Sequence, residues 1–161
     1  MFKRLFGTPA EKVVGQPAVP SRPMATDLHE ALARLVPRWS REGADLLPPA
    51  TAADVHAVFE RVGAVATPDV VALYTTIGGV QVMDDALLRI WSLEEIAAKG
   101  PGGEGVIFAD YLISSGDYRL VTSAGSCSAV LLDRDECRIG PTLEAFLIWL
   151  EADPEFVHWY W

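Results

Sequence analysis

The chain has 161 residues, which is the length of one domain. Half of the residues are hydrophobic and 22% are charged, so the composition supports a buried core and excludes disorder throughout. There are 22 acidic side chains against 13 lysines and arginines, and the formal net charge of −9 argues against binding to a phosphate backbone.

The charge is unevenly distributed along the chain. Residues 1–23 contain four basic side chains, one acidic side chain and four prolines, and carry a net charge of +3. Residues 24–161 carry the remaining charges and have a net charge of −12. Proline removes backbone donors and favours extended backbone, so we predict a flexible, basic, proline-rich tail over 1–23. A single domain is predicted over 24–161, and its negative field favours a basic protein partner.

The first half of that domain is predicted to be helical. The spacing of apolar residues from Leu28 to Leu35 predicts a first helix, which we expect Pro37 to end. Thr51 has the pattern of an N-cap in a capping box and begins a second helix, which ends at Gly63.

Three further helices are predicted from their N-terminal signals. Thr67, Ser92 and Thr142 each precede a segment with helical apolar spacing. The helix after Thr67 is expected to end at Gly78, and the short helix after Ser92 at about Lys99.

The segments with strand patterns lie mainly between the last two helices. Runs of β-branched and aromatic residues, with turn residues between them, predict strands at 87–91, 106–113, 118–122, 128–132 and 137–139. Helices followed by an antiparallel meander and one closing helix indicate the α+β class, with a mixed, largely antiparallel sheet packed against helices.

Sequence motifs for catalysis or for cofactor binding are weak. Gly100–Gly105 fits the glycine pattern of a dinucleotide site, but it follows a helix and precedes a strand, so no helix N-terminus faces the loop. His29, His56 and His158 lack the spacing of metal ligands. We therefore expect no enzyme activity, no cofactor and no metal.

The remaining compositional signals concern the cell compartment. Cys127 and Cys137 are too few for a disulfide framework; a bridge across a predicted hairpin and a pair of reduced thiols both remain open. Residues 1–7 lack the apolar segment of a signal peptide, and the apolar run at 146–150 is too short to cross a bilayer. We expect a cytoplasmic protein that binds neither membranes nor nucleic acid.

Acidic and aromatic residues recur in or next to the loops of the middle of the chain. Aromatic anchors surrounded by carboxylates suit a basic protein partner. The alternative is that the aromatic residues belong to the core and the acidic residues to an ordinary solvated surface. The candidate partner-binding residues are Asp84, Asp85, Trp91, Glu94, Glu95, Glu104, Asp110, Asp117 and Tyr118.

Several segments, in their order and spacing, resemble the SUKH superfamily, the Smi/Knr type of domain. The resemblance covers about residues 46–152, and the segments that carry it are 47–51, 59–63, 67–74, 77–79, 88–96, 108–118 and 142–147. Ile77 stands where that family usually has an asparagine.

The resemblance implies an α+β domain that binds proteins and catalyses nothing. Bacterial members of that family are typically immunity proteins that neutralise toxins, often nucleases, and a fungal relative is a regulatory scaffold. The expected function is therefore an immunity protein that neutralises a cognate bacterial toxin through an acidic surface. The alternative is a regulatory or scaffold module with a different partner.

Overall fold

The structure is a computed structural model, and it describes residues 23–82, 84–85, 87–100, 105–111, 115–122, 129–132 and 137–155. Residues 1–22 of the predicted tail, Glu104 and Cys127 lie outside the described residues, and so does the side chain of Cys137. The flexibility of the tail and the state of the cysteines therefore stay predictions.

Five helices and five strands are formed by the described residues. In chain order they are α1 (Leu28–Arg41), α2 (Ala52–Arg61), α3 (Pro68–Thr76), β1 (Leu88–Ile90), α4 (Leu93–Lys99), β2 (Val106–Tyr111), β3 (Gly116–Val121), β4 (Ala129–Leu132), β5 (Cys137–Gly140) and α5 (Leu143–Ala152). The strands form one sheet in the order β1-β2-β3-β4-β5, and every pairing is antiparallel. The predicted α+β class and meander are confirmed.

The helix starts follow their predicted caps with one difference. Thr51 and Ser92 each form a capping box, and the Thr142 hydroxyl accepts from the Ala145 amide at 2.9 Å. Thr67 holds the N-cap position of α3, but its hydroxyl donates to the Asp69 carboxylate and makes no cap hydrogen bond to the backbone.

The expected end of α1 at Pro37 is wrong. The helix continues through this proline to Arg41, although a proline inside a helix removes a hydrogen bond and costs about 3 kcal/mol. Pro37 is on the exposed side, and Trp39, one turn beyond Leu35, is 1% exposed in the core. Burial of the Trp39 indole outweighs the local propensity because a large buried aromatic side chain contributes several kcal/mol.

One face of the sheet carries the main core. Phe108 and Tyr118 pack against Phe146 of α5, with ring centroids 6.0 and 5.6 Å apart, and all three side chains are at most 1% exposed. The helix α5 lies against α1, α3, β4 and β5. Asp69 of α3 fixes its start, because its carboxylate accepts from the amides of Leu143 and Glu144 at 3.1 and 3.3 Å.

The other face of the sheet carries charged side chains in register. Arg89 of β1 lies opposite Asp110 of β2, and Asp110 lies opposite Asp117 of β3. Cross-strand neighbours are about 5 Å apart, so this register places one cation and two carboxylates in a row. The row lies at the end of the sheet where α4 packs on β2.

Two close backbone approaches position the segments around β1. The bridge between Leu46 and Val80 joins the segment after α1 to the segment after α3. Gly78 is required beside it, because an added Cβ would overlap the carbonyl oxygen of Pro48. Among the residues that the structure describes, no helix has the length and hydrophobicity needed to cross a membrane.

Candidate functional site

The structure separates the predicted partner-binding residues by burial. Asp85 and Glu94 are exposed, and Glu95 and Asp117 are half-buried. Four of the others are buried, with exposures of 3%, 7%, 0% and 1% for Asp84, Trp91, Asp110 and Tyr118. Glu104 lies outside the described residues.

The expectation of surface positions therefore does not hold for four residues, Asp84, Trp91, Asp110 and Tyr118. Tyr118 belongs to the core cluster with Phe146, because its strand turns it toward α5. Asp84 and Asp110 are internal hydrogen-bond acceptors, since a buried carboxylate is stable only when donors replace the lost water. The binding role of the exposed residues stays a prediction.

Asp84 organises residues 81–87, which we call the Asp84 loop and of which residues 83 and 86 are outside the described part. Its carboxylate accepts from the Trp39 indole Nε1–H and from the Leu88 amide, both at 2.9 Å. Its main chain pairs with Leu87 and Leu88 across the turn, at 2.9 and 3.1 Å. One buried carboxylate thus holds the loop to α1 and to the start of β1.

The Asp84 loop exposes apolar side chains. Among the described residues, the exposed large apolar side chains are Val65, Val82 and Leu87, with 41%, 54% and 37% exposure. Two of these three lie in this loop. Leu87 has a φ of +62°, and a leucine in this left-handed region costs about 1–2 kcal/mol. The hydrogen bonds of Asp84 hold Leu87 in this conformation.

Carboxylates flank the apolar tip. Asp85 is in the loop itself, and Asp45 lies beside it, because the Gln81 amide donates to the Asp45 carbonyl oxygen at 2.8 Å. Both aspartates are exposed. An apolar tip between carboxylates can insert into a pocket that has a basic rim on another protein.

A second cluster lies at the opposite end of β1, and we call it the Trp91 cluster (Arg89, Trp91, Glu95, Lys99 and Asp110). Asp110 accepts from Arg89 Nε at 2.9 Å, from Arg89 Nη2 at 2.7 Å and from the Trp91 indole. Arg89 Nη1 donates to Glu95 Oε1 at 2.8 Å, and the Ser92 amide donates to Glu95 Oε2 at 2.8 Å. The capping box of α4 therefore also positions a counter-ion for Arg89.

The electrostatics of this cluster follow from burial and pairing. Partial burial by itself would lower the pKa of Arg89, but the hydrogen bonds and charges of Asp110 and Glu95 outweigh it and raise the pKa. Below the cluster the Tyr74 hydroxyl donates to the Trp91 carbonyl oxygen at 2.9 Å. Complete burial, with a further contribution from Glu95, raises the pKa of Tyr74 far above its usual range. Arg89 stays cationic and Tyr74 neutral throughout the physiological range.

A pocket of about 330 Å³ opens beside Trp91 and is lined by Arg89, Trp91, Glu95, Ala98 and Lys99. The Arg89 guanidinium carbon lies 5.7 Å, and Lys99 Nζ lies 5.9 Å, from the Trp91 ring centroid. Both distances are within the range of cation–π attraction. Among the described residues, no group of three or more His, Cys, Asp or Glu side chains is placed to hold a metal ion.

Sequence reasoning missed several members of both regions. Val82 and Leu87 were missed because isolated apolar residues in a loop are also typical of buried contacts. Lys99 was missed as a pocket residue because it ends a short helix with no neighbouring basic residue. The sequence did contain a signal for the Arg89–Asp110 pair. Arg89 is a single cation, and Asp110 a single carboxylate, among the apolar residues of a predicted strand.

Comparisons with protein-family models, with curated proteins and with solved structures give no match.

Proposed function

We propose that the chain is a non-catalytic protein-binding domain that binds a basic protein through the Asp84 loop. The observation that carries this proposal is the loop's exposed apolar tip, with Asp85 and Asp45 at its sides. The resemblance to the SUKH superfamily then favours an immunity protein that acts in the cytoplasm and neutralises a cognate bacterial toxin.

The surface charge supports a basic partner. Among the exposed side chains of the described residues, seven are acidic and three are lysine or arginine. Such an excess attracts a basic protein over a distance of about 8–10 Å at physiological salt and raises the association rate more than the final affinity. The expected kinetic signature is an association rate that falls as ionic strength rises.

The apolar tip supports a specific contact as opposed to a diffuse electrostatic one. Val82 and Leu87 project from a loop whose base is fixed by the buried Asp84. A preorganised loop loses little conformational entropy on binding, so its apolar contacts contribute fully to affinity. At most interfaces a few well-packed anchor residues dominate, and truncating one costs about 2 kcal/mol or more.

The test uses the proteins that are encoded by the genes neighbouring this one. Each is co-expressed with the chain, and growth rescue and the binding affinity of the purified pair are measured. We expect rescue by the unaltered chain, and a loss of affinity of about tenfold or more in Leu87→Ser. Val65→Ser is the matched control, because Val65 has similar exposure on a different loop.

The outcomes separate the alternatives. Rescue that Leu87→Ser weakens and Val65→Ser leaves unchanged supports the proposal. Binding without rescue, with the same dependence on Leu87, retains the protein-binding domain but replaces the immunity role with a scaffold role. Absence of binding to every neighbouring gene product, or equal effects of both substitutions, contradicts the proposal.

A further inference from the structure

The pocket beside Trp91 contains one cation that no described residue neutralises. Lys99 is exposed, and it forms neither an ion pair nor a hydrogen bond with any residue that the structure describes. Its Nζ lies 5.9 Å from the centroid of the Trp91 ring, which is one wall of the pocket. Lys99 thus brings an ammonium group with three donors to the lining of a partly apolar pocket.

The other charged groups of the pocket are already paired. Arg89 donates to Asp110 through two nitrogens and to Glu95 through the third. Both oxygens of Glu95 accept hydrogen bonds, one from Arg89 and one from the Ser92 amide. The Trp91 indole N–H is donated to Asp110. A ligand would therefore find its charged hydrogen-bond partner in Lys99.

We propose that the Trp91 pocket binds a carboxylate, with Lys99 as the charged donor and with the ligand's carbon atoms against Trp91 and Ala98. The volume of about 330 Å³ is at the lower end of the range for ligand pockets, so it suits a small acid or one acidic side chain. This site is independent of the Asp84 loop and of its proposed basic partner.

The polarity of the pocket selects a monoanion. The charged side chains of the lining are Arg89 and Lys99, which are positive, and Glu95, which is negative; Arg89 also pairs with Asp110, which is buried behind the lining. A bound cation would lie against two cations that already lie near the Trp91 ring. A phosphate dianion would lie close to the Glu95 carboxylate, and Lys99 alone would balance two negative charges with one positive charge. A carboxylate brings a single negative charge, which can pair directly with Lys99, the lining cation that has no described counter-ion.

The test is a ligand titration monitored by NMR. The signals observed are those of the backbone amides of Ala98 and Lys99 and of the Trp91 indole, and the Trp91→Phe variant assigns the indole signal. The probes are sodium acetate and three blocked peptides, acetyl-Gly-Glu-Gly-amide and its Gln and Lys equivalents. We expect saturable shifts with acetate and with the Glu peptide, with dissociation constants on the order of millimolar. The Gln and Lys peptides are expected to bind at least about tenfold more weakly.

Substitutions assign the binding to the ammonium group. Lys99→Met is expected to weaken carboxylate binding about tenfold, and Lys99→Arg to retain most of it because a donor cation remains. Arg61→Met is the matched control, since Arg61 is an exposed cation in the last turn of α2, as Lys99 is in α4. It removes the same charge from the whole protein.

The two sources of a carboxylate are distinguished by the probes. Tighter binding of the Glu peptide than of acetate indicates an acidic side chain of a protein, and equal binding indicates a small free acid; both support a carboxylate site. Equal weakening by Lys99→Met and Arg61→Met overturns the proposal, as does preference for the Lys peptide or absence of saturation at about 50 mM acetate.

Discussion

Each of two buried aspartates accepts a hydrogen bond from a tryptophan indole, one just before β1 and one beside it. Asp84 precedes the strand and binds the Trp39 Nε1–H, and Asp110 lies beside the strand and binds the Trp91 Nε1–H. Both carboxylates are nearly or completely buried. The described donors around Asp84 are the indole and the Leu88 amide, whereas Asp110 also receives the Arg89 guanidinium.

This difference separates a structural carboxylate from an electrostatic one. Neutral donors around Asp84 fix the shape of a loop and leave its surface apolar, with Val82 and Leu87 exposed. The guanidinium at Asp110 also pairs with a second carboxylate, that of Glu95, and this arrangement makes the surface of the Trp91 cluster charged. The two acid–indole pairs therefore lie beside two kinds of surface, an apolar one at Asp84 and a charged one at Asp110.

The largest expected effect is that of Asp110→Asn. The substitution removes the charge of a buried carboxylate and leaves the half-buried Arg89 with Glu95 as its counter-ion, so we expect a loss of about 3 kcal/mol in the free energy of unfolding. Urea unfolding of the variant measures it. Adding Arg89→Met should restore part of the loss, because it removes the cation that has lost its buried counter-ion; strictly additive effects would show that the two residues are not coupled.

A smaller effect is expected for Asp84→Asn. The asparagine oxygen can still accept from either the Trp39 indole or the Leu88 amide. We expect a loss of about 1–2 kcal/mol by urea unfolding. A loss as large as that of Asp110→Asn would break the distinction between the two aspartates.

The sequence predicts the elements better than it predicts the sites. Helix caps such as Thr51, Ser92 and Thr142 act through hydrogen bonds three residues away, so local pattern is sufficient. The burial of Asp84 depends on Trp39, which is 45 positions away, and no local pattern contains that contact. The continuation of α1 through Pro37 has the same cause, since Trp39 is held by tertiary contacts.

An increase in stability is expected for Leu87→Gly. Glycine removes the steric strain of the left-handed backbone at +62°, worth about 1–2 kcal/mol, and adds entropy to the unfolded chain worth about 0.5–1 kcal/mol. The net change is a gain of about 0.5 kcal/mol in the free energy of unfolding, with weaker binding to the proposed partner. Val82→Gly is the control: it carries no such strain relief, because Val82 has no positive φ. A net loss in Leu87→Gly would mean that the exposed leucine stabilises the fold and not a contact with a partner.

The smallest effect on stability is expected for Glu30, which forms an ion pair with Arg34 outside the core. Backbone and side-chain hydrogen bonds from Thr26, with a further contribution from Arg34, lower the pKa of Glu30 below 4.5. A carboxyl whose pKa is lower in the folded state stabilises the fold above its unfolded pKa, and this contribution is lost as pH falls through the folded value. Glu30→Gln should therefore reduce stability slightly at pH 7 and leave it unchanged near pH 2, as measured by thermal unfolding at both values. Because Glu30 is solvated, Glu30→Gln should reduce the stability at pH 7 much less than Asp110→Asn does. Similar losses of stability would mean that burial does not determine the strength of the Arg89–Asp110 pair.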